Sequence, residues 1–262
     1  MGAAIINTEA KFKFCGEPFW HIQIQDFFTE DTAKVMASEF PAYDNPAWFS
    51  YKQTGVQVKK ACNHWYHFGP RTYRAIMVML APMIVTTYGQ LRGCALVPDF
   101  GLWGGGWHTS ANDGILVPHL DFSIHPKVGL QRKLSVVIYL TPDMEEEYGG
   151  HLGLYEGDAE KPGKLVKEIA PAFNTAIIFD STENSWHGLS RPLTMPEGMT
   201  RNSLAIYYLT NPSPDAAERQ KASFYAPTGP RLSSANEAQV PGTLPRYQDS
   251  RDWINGPKRV CA

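Results

Sequence analysis

The chain has 262 residues, 43% hydrophobic and 12% aromatic, with a formal charge of -2 from 24 basic and 26 acidic side chains. That apolar content is enough for one sizeable core and excludes a disordered chain. The near-neutral balance gives no support for a nucleic-acid partner, whose phosphates need a basic surface.

The opening MGAAIINTEAKFKF lacks a basic stretch followed by a long apolar one, so no secretory leader is expected. Gly2 suits N-myristoylation, but Ile6 stands where that motif wants Ser or Thr. The longest apolar run, 75–85, is interrupted by Pro82 and is too short to span a bilayer, so no membrane association is expected. Cys15, Cys62, Cys94 and Cys261 form no CxxC pair, and the plain expectation is free thiols in a reducing cytoplasm.

In chain order, Phe19 to Ile24 alternates apolar and polar residues and predicts a short edge strand. Thr29 is placed to cap a helix through EDTAKVMASEF, with Asp31 near its positive end and Pro41 to stop it. A second helix is expected over Arg71 to Leu91, bent or broken near Pro82. From about Cys94 the pattern turns to β, with strands at Leu134–Leu140, His151–Tyr155, Thr175–Phe179 and Ser203–Leu209. Short strands so spaced, with flanking helices, predict a sandwich, barrel or jelly roll rather than a βαβ fold. The whole chain reads as one domain, with an N-terminal strand and supporting helices over 1–93 and a β core over 94–210. An irregular tail over 211–262 wraps the core or forms a lid.

Three features carry chemistry, in order: His119-Leu120-Asp121, His187, and Arg201-Asn202-Ser203. Residues i and i+2 of a strand point the same way, so His119 and Asp121 can converge on one ion. His187 follows the strand TAIIF by a short turn and can complete the set from across a barrel. Two imidazoles and one carboxylate form a facial triad that leaves open positions on Fe(II). Arg201 opens a strand beyond His187 and can grip a carboxylate by two parallel hydrogen bonds, with Ser203 on the same strand face. Taken singly, each histidine also fits a structural role, and Arg201 a surface ion pair.

The stretches GGGWH (104–108), PHLDFSIHP (118–126), LSVVIYLTP (134–142), EEYGGHLGLY (147–155), FDSTENSWHG (179–188) and RNSLAIYYLT (201–210) make this sequence resemble the 2-oxoglutarate/Fe(II) dioxygenases, in their prolyl-4-hydroxylase-like branch. The resemblance implies a mainly β fold with flanking helices around a double-stranded β-helix, or jelly-roll, core. It implies His119, Asp121 and His187 as iron ligands, Arg201 and Ser203 as contacts of the distal carboxylate of 2-oxoglutarate, and Tyr139 as a further contact. Gly149-Gly150 matches the turn before a central strand. The implied activity converts 2-oxoglutarate and O₂ to succinate and CO₂ while oxidising a C–H bond, with ascorbate as a stimulant. The relatives that halogenate carry a small residue where Asp121 stands, which argues against halogenation here.

Further lining residues are open between a substrate pocket and core packing: Trp107, His108, Trp186 and Tyr207. Arg132 and Lys133 are open between an anionic substrate and a solvated turn. His125 is left out of the ligand set because of its loop spacing and Pro126. A small-molecule substrate, for example an amino-acid-like compound or a natural-product intermediate, is the favoured reading. Its alternatives are a peptidyl or protein prolyl hydroxylase and, in another class, a cupin-like metal barrel without 2-oxoglutarate chemistry. The oligomeric state is not read from the sequence.

Overall fold

Strand β14 (Arg201–Thr210) organises the architecture, because its side chains alternate between two different environments. In a computed structural model, which describes residues 4–225 and the strand residues 232–233, both of its faces are buried. Leu204, Ile206 and Tyr208 pack outward into the main hydrophobic cluster. Ala205 and Tyr207 point inward with Phe122. Its neighbours β9 (Gln131–Tyr139) and β12 (Ala176–Asp180) alternate in step. Leu134, Val136, Ile138, Ala176 and Ile178 face outward, whereas Tyr139, Ile177 and Phe179 face inward.

The outer face is covered by α1 (Glu30–Ser38), α2 (Pro70–Met79) and α3 (Pro82–Arg92), which bring Met36, Ile76, Met79, Val85 and Tyr88 into the same cluster. The Tyr208 hydroxyl donates to the Met79 carbonyl at 2.7 Å, tying sheet to helix. The expected long helix is two helices at 46°. Pro82 cannot donate to the preceding turn and instead starts α3, which ends on left-handed Gly93. Among the described residues no single helix is long and apolar enough to cross a membrane. Thr29 precedes α1 as expected, but its hydroxyl bonds Thr32 and the Ala4 carbonyl rather than a helix N–H.

The larger sheet also holds β1 (Lys11–Cys15), β2 (His21–Gln25), β3 (Phe49–Gln53), β4 (Gln57–Cys62) and β6 (Gly106–Ser110), with β5 (Val97–Pro98) and β7 (Ile115–Leu116) at its margins. Its order is β1-β2-β12-β9-β14-β6-β4-β3. The predicted edge strand near Phe19–Ile24 is therefore interior: KFKFC in β1 pairs along its length with β2 and takes the edge. The segment before residue 94 supplies four strands rather than one. The hairpin β3–β4 escaped sequence reading because QVKKAC sets two lysines side by side and blurs the alternation.

The smaller sheet runs β11-β10-β13-β8-β15-β16, from β8 (His119–Leu120), β10 (Leu152–Gly157), β11 (Pro162–Ile169), β13 (His187–Leu189), β15 (Ser223–Phe224) and β16 (Leu232–Ser233). The two antiparallel sheets enclose the inward-facing side chains, as the jelly-roll expectation required. The tail is not wholly irregular, since β15 pairs with β8 and extends this sheet. Residues 226–231 and 234–262, and with them the lid expectation for that part, lie outside the described residues. Cys15, Cys62 and Cys94 are free thiols, and Cys261 falls outside the described residues.

Ile206 is fully buried where β14 meets the helices. Ile206→Ala is expected to cost roughly 2–5 kcal/mol of unfolding free energy, since the cavity cannot close between a sheet and fixed helices. Urea denaturation with an unchanged slope checks this; a loss below about 1 kcal/mol would contradict the packing described.

Candidate active site

Strands β8 and β13 meet in antiparallel pairing with His119 directly opposite His187. Opposed residues of a pair carry their side chains on the same face, so the two rings lie together, with centroids 4.3 Å apart. Asp121 follows β8 by one residue and returns to the same face. Its Oδ1 lies 3.7 Å from His119 Nε2 and its Oδ2 lies 3.4 Å from His187 Nε2. One ligand atom from each residue falls within 4.8 Å of the others, a spacing that could hold a metal ion.

Each ring is oriented from behind. His119 Nδ1 is 3.0 Å from the Val117 carbonyl and His187 Nδ1 is 2.8 Å from the Ser185 carbonyl. Since a carbonyl only accepts, both Nδ1 atoms carry the proton and both Nε2 lone pairs face Asp121. Burial, then neighbouring His187, pushes His119 down to about 3, and burial lowers His187 as well, so both rings are neutral at pH 7. Burial alone would raise the Asp121 carboxyl. Arg132, His187 and His119 outweigh it and hold the group well below the usual carboxylate range.

Arg132 is not in a solvated turn. Tyr208 faces Leu134 across β14–β9 while Leu209 faces Arg132, so Lys133 is an extra residue and the resulting bulge re-aims Arg132. The Arg132 guanidinium is buried, 2.7 Å from Asp121 Oδ2, bonded to the Ser135 hydroxyl at 2.8 Å, and stacked 3.4 Å over the Tyr207 ring. That contact to Oδ2 lacks hydrogen-bond alignment, so a buried carboxylate oxygen remains without a donor. Lys133 pairs instead with Asp180 at 3.4 Å.

Arg201, Ser203 and Tyr139 come together across the sheet. Ser203 is directly opposite Tyr139, and Arg201 stands two residues along the same face with its guanidinium 4.8 Å over the Tyr139 ring. Arg201 Nε donates to the Gly150 carbonyl at 2.8 Å. A Cβ on Gly150, whose φ is +64°, would lie 2.8 Å from Arg201 Cδ and 2.4 Å from Leu193 Cδ2, so only glycine leaves this room. Among the described residues no acid pairs with Arg201, and the Tyr139 hydroxyl has only the Arg201 guanidinium beside it. A cation with no acid against it, beside a hydroxyl that has no acceptor, suits a bound carboxylate.

Of the aromatic candidates, the structure sends two elsewhere. Trp107 is fully buried in the outer cluster, 4.9 Å from Phe40 and 5.0 Å from Phe68, because its strand places it opposite in face to His108. Trp186 faces away from His187 and donates to the Asp158 carbonyl at 2.7 Å. His108 does point inward, with burial and then Lys59 pushing it down to about 3. Tyr207 is also inward, bonded to the Gly104 carbonyl at 2.9 Å beneath Arg132. His125 is buried 3.7 Å from Asp99 and stands apart from the triad.

Several neighbours carry no local sequence signal. Lys59 of β4 shares the charge field of Asp121, Arg132 and Arg201. Phe224 of β15 stacks on His119 at 5.3 Å. Arg219 donates to the Asp121 carbonyl at 2.7 Å and pairs with Glu183.

Residues 106–209 match the model of the 2OG-Fe(II) oxygenase superfamily. Prolyl 3-hydroxylase OGFOD1 of Mus musculus is 27% identical over 128 residues, covering 47% of this chain and 20% of the mouse protein. Its Xenopus laevis counterpart is 31% identical over 78 residues, covering 29% and 15%. The alignments thus span a fifth or less of these relatives' length. Among solved structures, a Pseudomonas putida prolyl-4-hydroxylase superposes with a TM-score of 0.50 at 17% identity, covering 78% of this chain and 95% of that one. A Trichoplax adhaerens prolyl hydroxylase, in complex with a hypoxia inducible factor oxygen degradation domain peptide fragment, also gives 0.50 at 17% identity, covering 72% and 83%. The family model thus covers about two fifths of the chain, and the two solved prolyl hydroxylases share its fold.

Arg132→Met would leave Asp121 buried without its cation and is expected to cost roughly 3–5 kcal/mol in metal-free protein. A divalent ion at the triad would supply the missing positive charge, so the loss should shrink when Mn(II) is present. Melting curves in chelator and in Mn(II) compare the two states; an equal loss in both would contradict an ion beside Asp121.

Proposed function

We propose that this protein is a 2-oxoglutarate-dependent Fe(II) hydroxylase acting on a C–H bond of a small-molecule substrate. The observation that carries this reading is the pairing of a three-ligand cluster with a separate, unpaired carboxylate receptor. A metal barrel without 2-oxoglutarate chemistry has no use for the second feature. His119, Asp121 and His187 would hold the iron, and the donor-free oxygen of Asp121 fits that charge. Arg201 would take the distal carboxylate of 2-oxoglutarate, with Tyr139 donating its hydroxyl and Ser203 beside it. When bound, iron with 2-oxoglutarate and O₂ supplies the oxidising power for C–H hydroxylation, releasing succinate and CO₂.

The chain's own residues orient and shield. Val117 and Ser185 fix the imidazole tautomers. Arg132 holds Asp121 ionised at any pH where the histidines are neutral. Phe224, stacked on His119, and Phe179, with its ring 4.8 Å from that of His187, exclude water from two sides. That enclosure supports a compact substrate. A second reading, peptidyl or protein prolyl hydroxylase, is favoured by the names of the mouse, frog and Pseudomonas relatives.

His187→Ala is expected to lose stoichiometric metal and all turnover, read by metal analysis and by succinate formation with Fe(II) and ascorbate. Arg201→Ala should weaken 2-oxoglutarate binding to the Mn(II)-loaded protein by about thirtyfold or more, the cost of losing a buried charge-assisted pair. Gly150→Ala should move 2-oxoglutarate affinity in the same direction by displacing Arg201. Succinate release accelerated by a metabolite fraction supports the first reading; acceleration by a proline-containing peptide alone supports the second. Full turnover in His187→Ala would overturn both.

A further inference from the structure

The inner face of the larger sheet carries a cation that the reading above leaves without work. Ala61 of β4 is directly opposite His108 of β6, which is opposite Ser203 of β14, which is opposite Tyr139 of β9. This row crosses four strands on one face. One step along, Lys60 pairs with Thr109. Lys59 therefore comes level with Ser110, which is itself opposite Arg201. By strand alternation Lys59 and Arg201 share the inner face, two strand spacings apart, or roughly 10 Å between backbones.

Lys59 has no acid partner among the described residues. Its ammonium lies 5.3 Å from the centroid of the Tyr51 ring, across the hairpin. Burial pulls it down to about 8, with Asp121 opposing that fall and Arg132 and Arg201 adding to it. It remains a cation at neutral pH. Arg132 is matched by Asp121, and Arg201 by the carboxylate that the proposed function assigns to it. The inward histidines His21, His108, His119 and His187 are all lowered by burial and neutral at pH 7. A divalent ion and a dianionic cosubstrate cancel each other's charge, so the loaded pocket keeps an excess of positive charge. That excess is two charges, and Lys59 is the cation with no anion placed against it. A half-buried ammonium repelled by two guanidiniums is stabilised by an anion that arrives with the substrate.

We propose that Lys59 binds a carboxylate of the primary substrate, and that the substrate class is therefore compact carboxylic acids, among them free amino acids, rather than neutral molecules. The inference rests on the 2-oxoglutarate-hydroxylase reading and narrows it. It also sets the small-molecule case apart from the peptidyl one, because a residue inside a peptide has no free α-carboxylate.

The test uses the full chain loaded with Mn(II) and 2-oxoglutarate without O₂. The probes are L-proline, L-leucine and L-arginine, each beside its primary carboxamide, with paramagnetic relaxation of probe protons reporting binding near the metal. At least one acid should bind about tenfold more tightly than its amide. Lys59→Met should remove that preference, and Lys59→Arg should restore most of it. In Lys59→Met the loss for the acid should exceed any loss for 2-oxoglutarate. No acid preferred over its amide, or a preference that survives in folded Lys59→Met, overturns the proposal. A loss for 2-oxoglutarate as large as that for the acid overturns it as well, by assigning Lys59 to the cosubstrate. Failure of wild-type protein to bind 2-oxoglutarate with Mn(II) overturns the parent reading instead, and is measured on the same sample by calorimetry.

Discussion

Everything in this structure depends on a sheet that is buried on both faces and uses the two faces differently. In β14 one residue in two is apolar or aromatic and held against helices, and the next faces the interior where the candidate site lies. The outer residues fix the strand's height and twist. The inner residues Arg201, Ser203 and Tyr207 then have no freedom to slide, because a slip of one residue would exchange the two faces and bury the guanidinium against the helices. Site geometry is thus a by-product of core packing, and the helices matter to the chemistry although they touch none of it.

The second constraint is electrostatic. Among the described residues Asp121 stands alone as an acid between Arg132, Lys59 and the more distant Arg201, with two imidazoles kept neutral by burial. Such a set is poorly balanced by itself. The excess is positive, so anions that meet Arg201 and Lys59 relieve repulsion already present and offset the charge of a metal ion beside Asp121. The Lys133 bulge, which places Arg132 inside, is the backbone device that makes this imbalance.

The grouping of His119, Asp121 and His187, the convergence of Arg201, Ser203 and Tyr139, and most of the core strands were legible in the chain. His119 and Asp121 at spacing two, His187 after an apolar strand and Arg201 opening another are local patterns, and period-two spacing carries its own geometry. Pro82 announced the break between helices for a similarly local reason. Gly149-Gly150 was legible as a turn, although its steric purpose, room for Arg201, appears only in three dimensions.

Face and partner were decided by tertiary structure. Trp107 and His108 are adjacent in sequence and equally attractive as pocket residues, but the position of β6 between β4 and β14 sends one to the core and the other to the site. Nothing near Lys59 marks it, since its role depends on β4 lying two strands from β14. Phe224 and Arg219 reach the triad only because β15 adds itself to β8 across a hundred residues of chain. Sequence by itself determined the chemistry that short-range spacing can encode. Long-range pairing of strands decided which side chains share a face, and no local pattern specifies that.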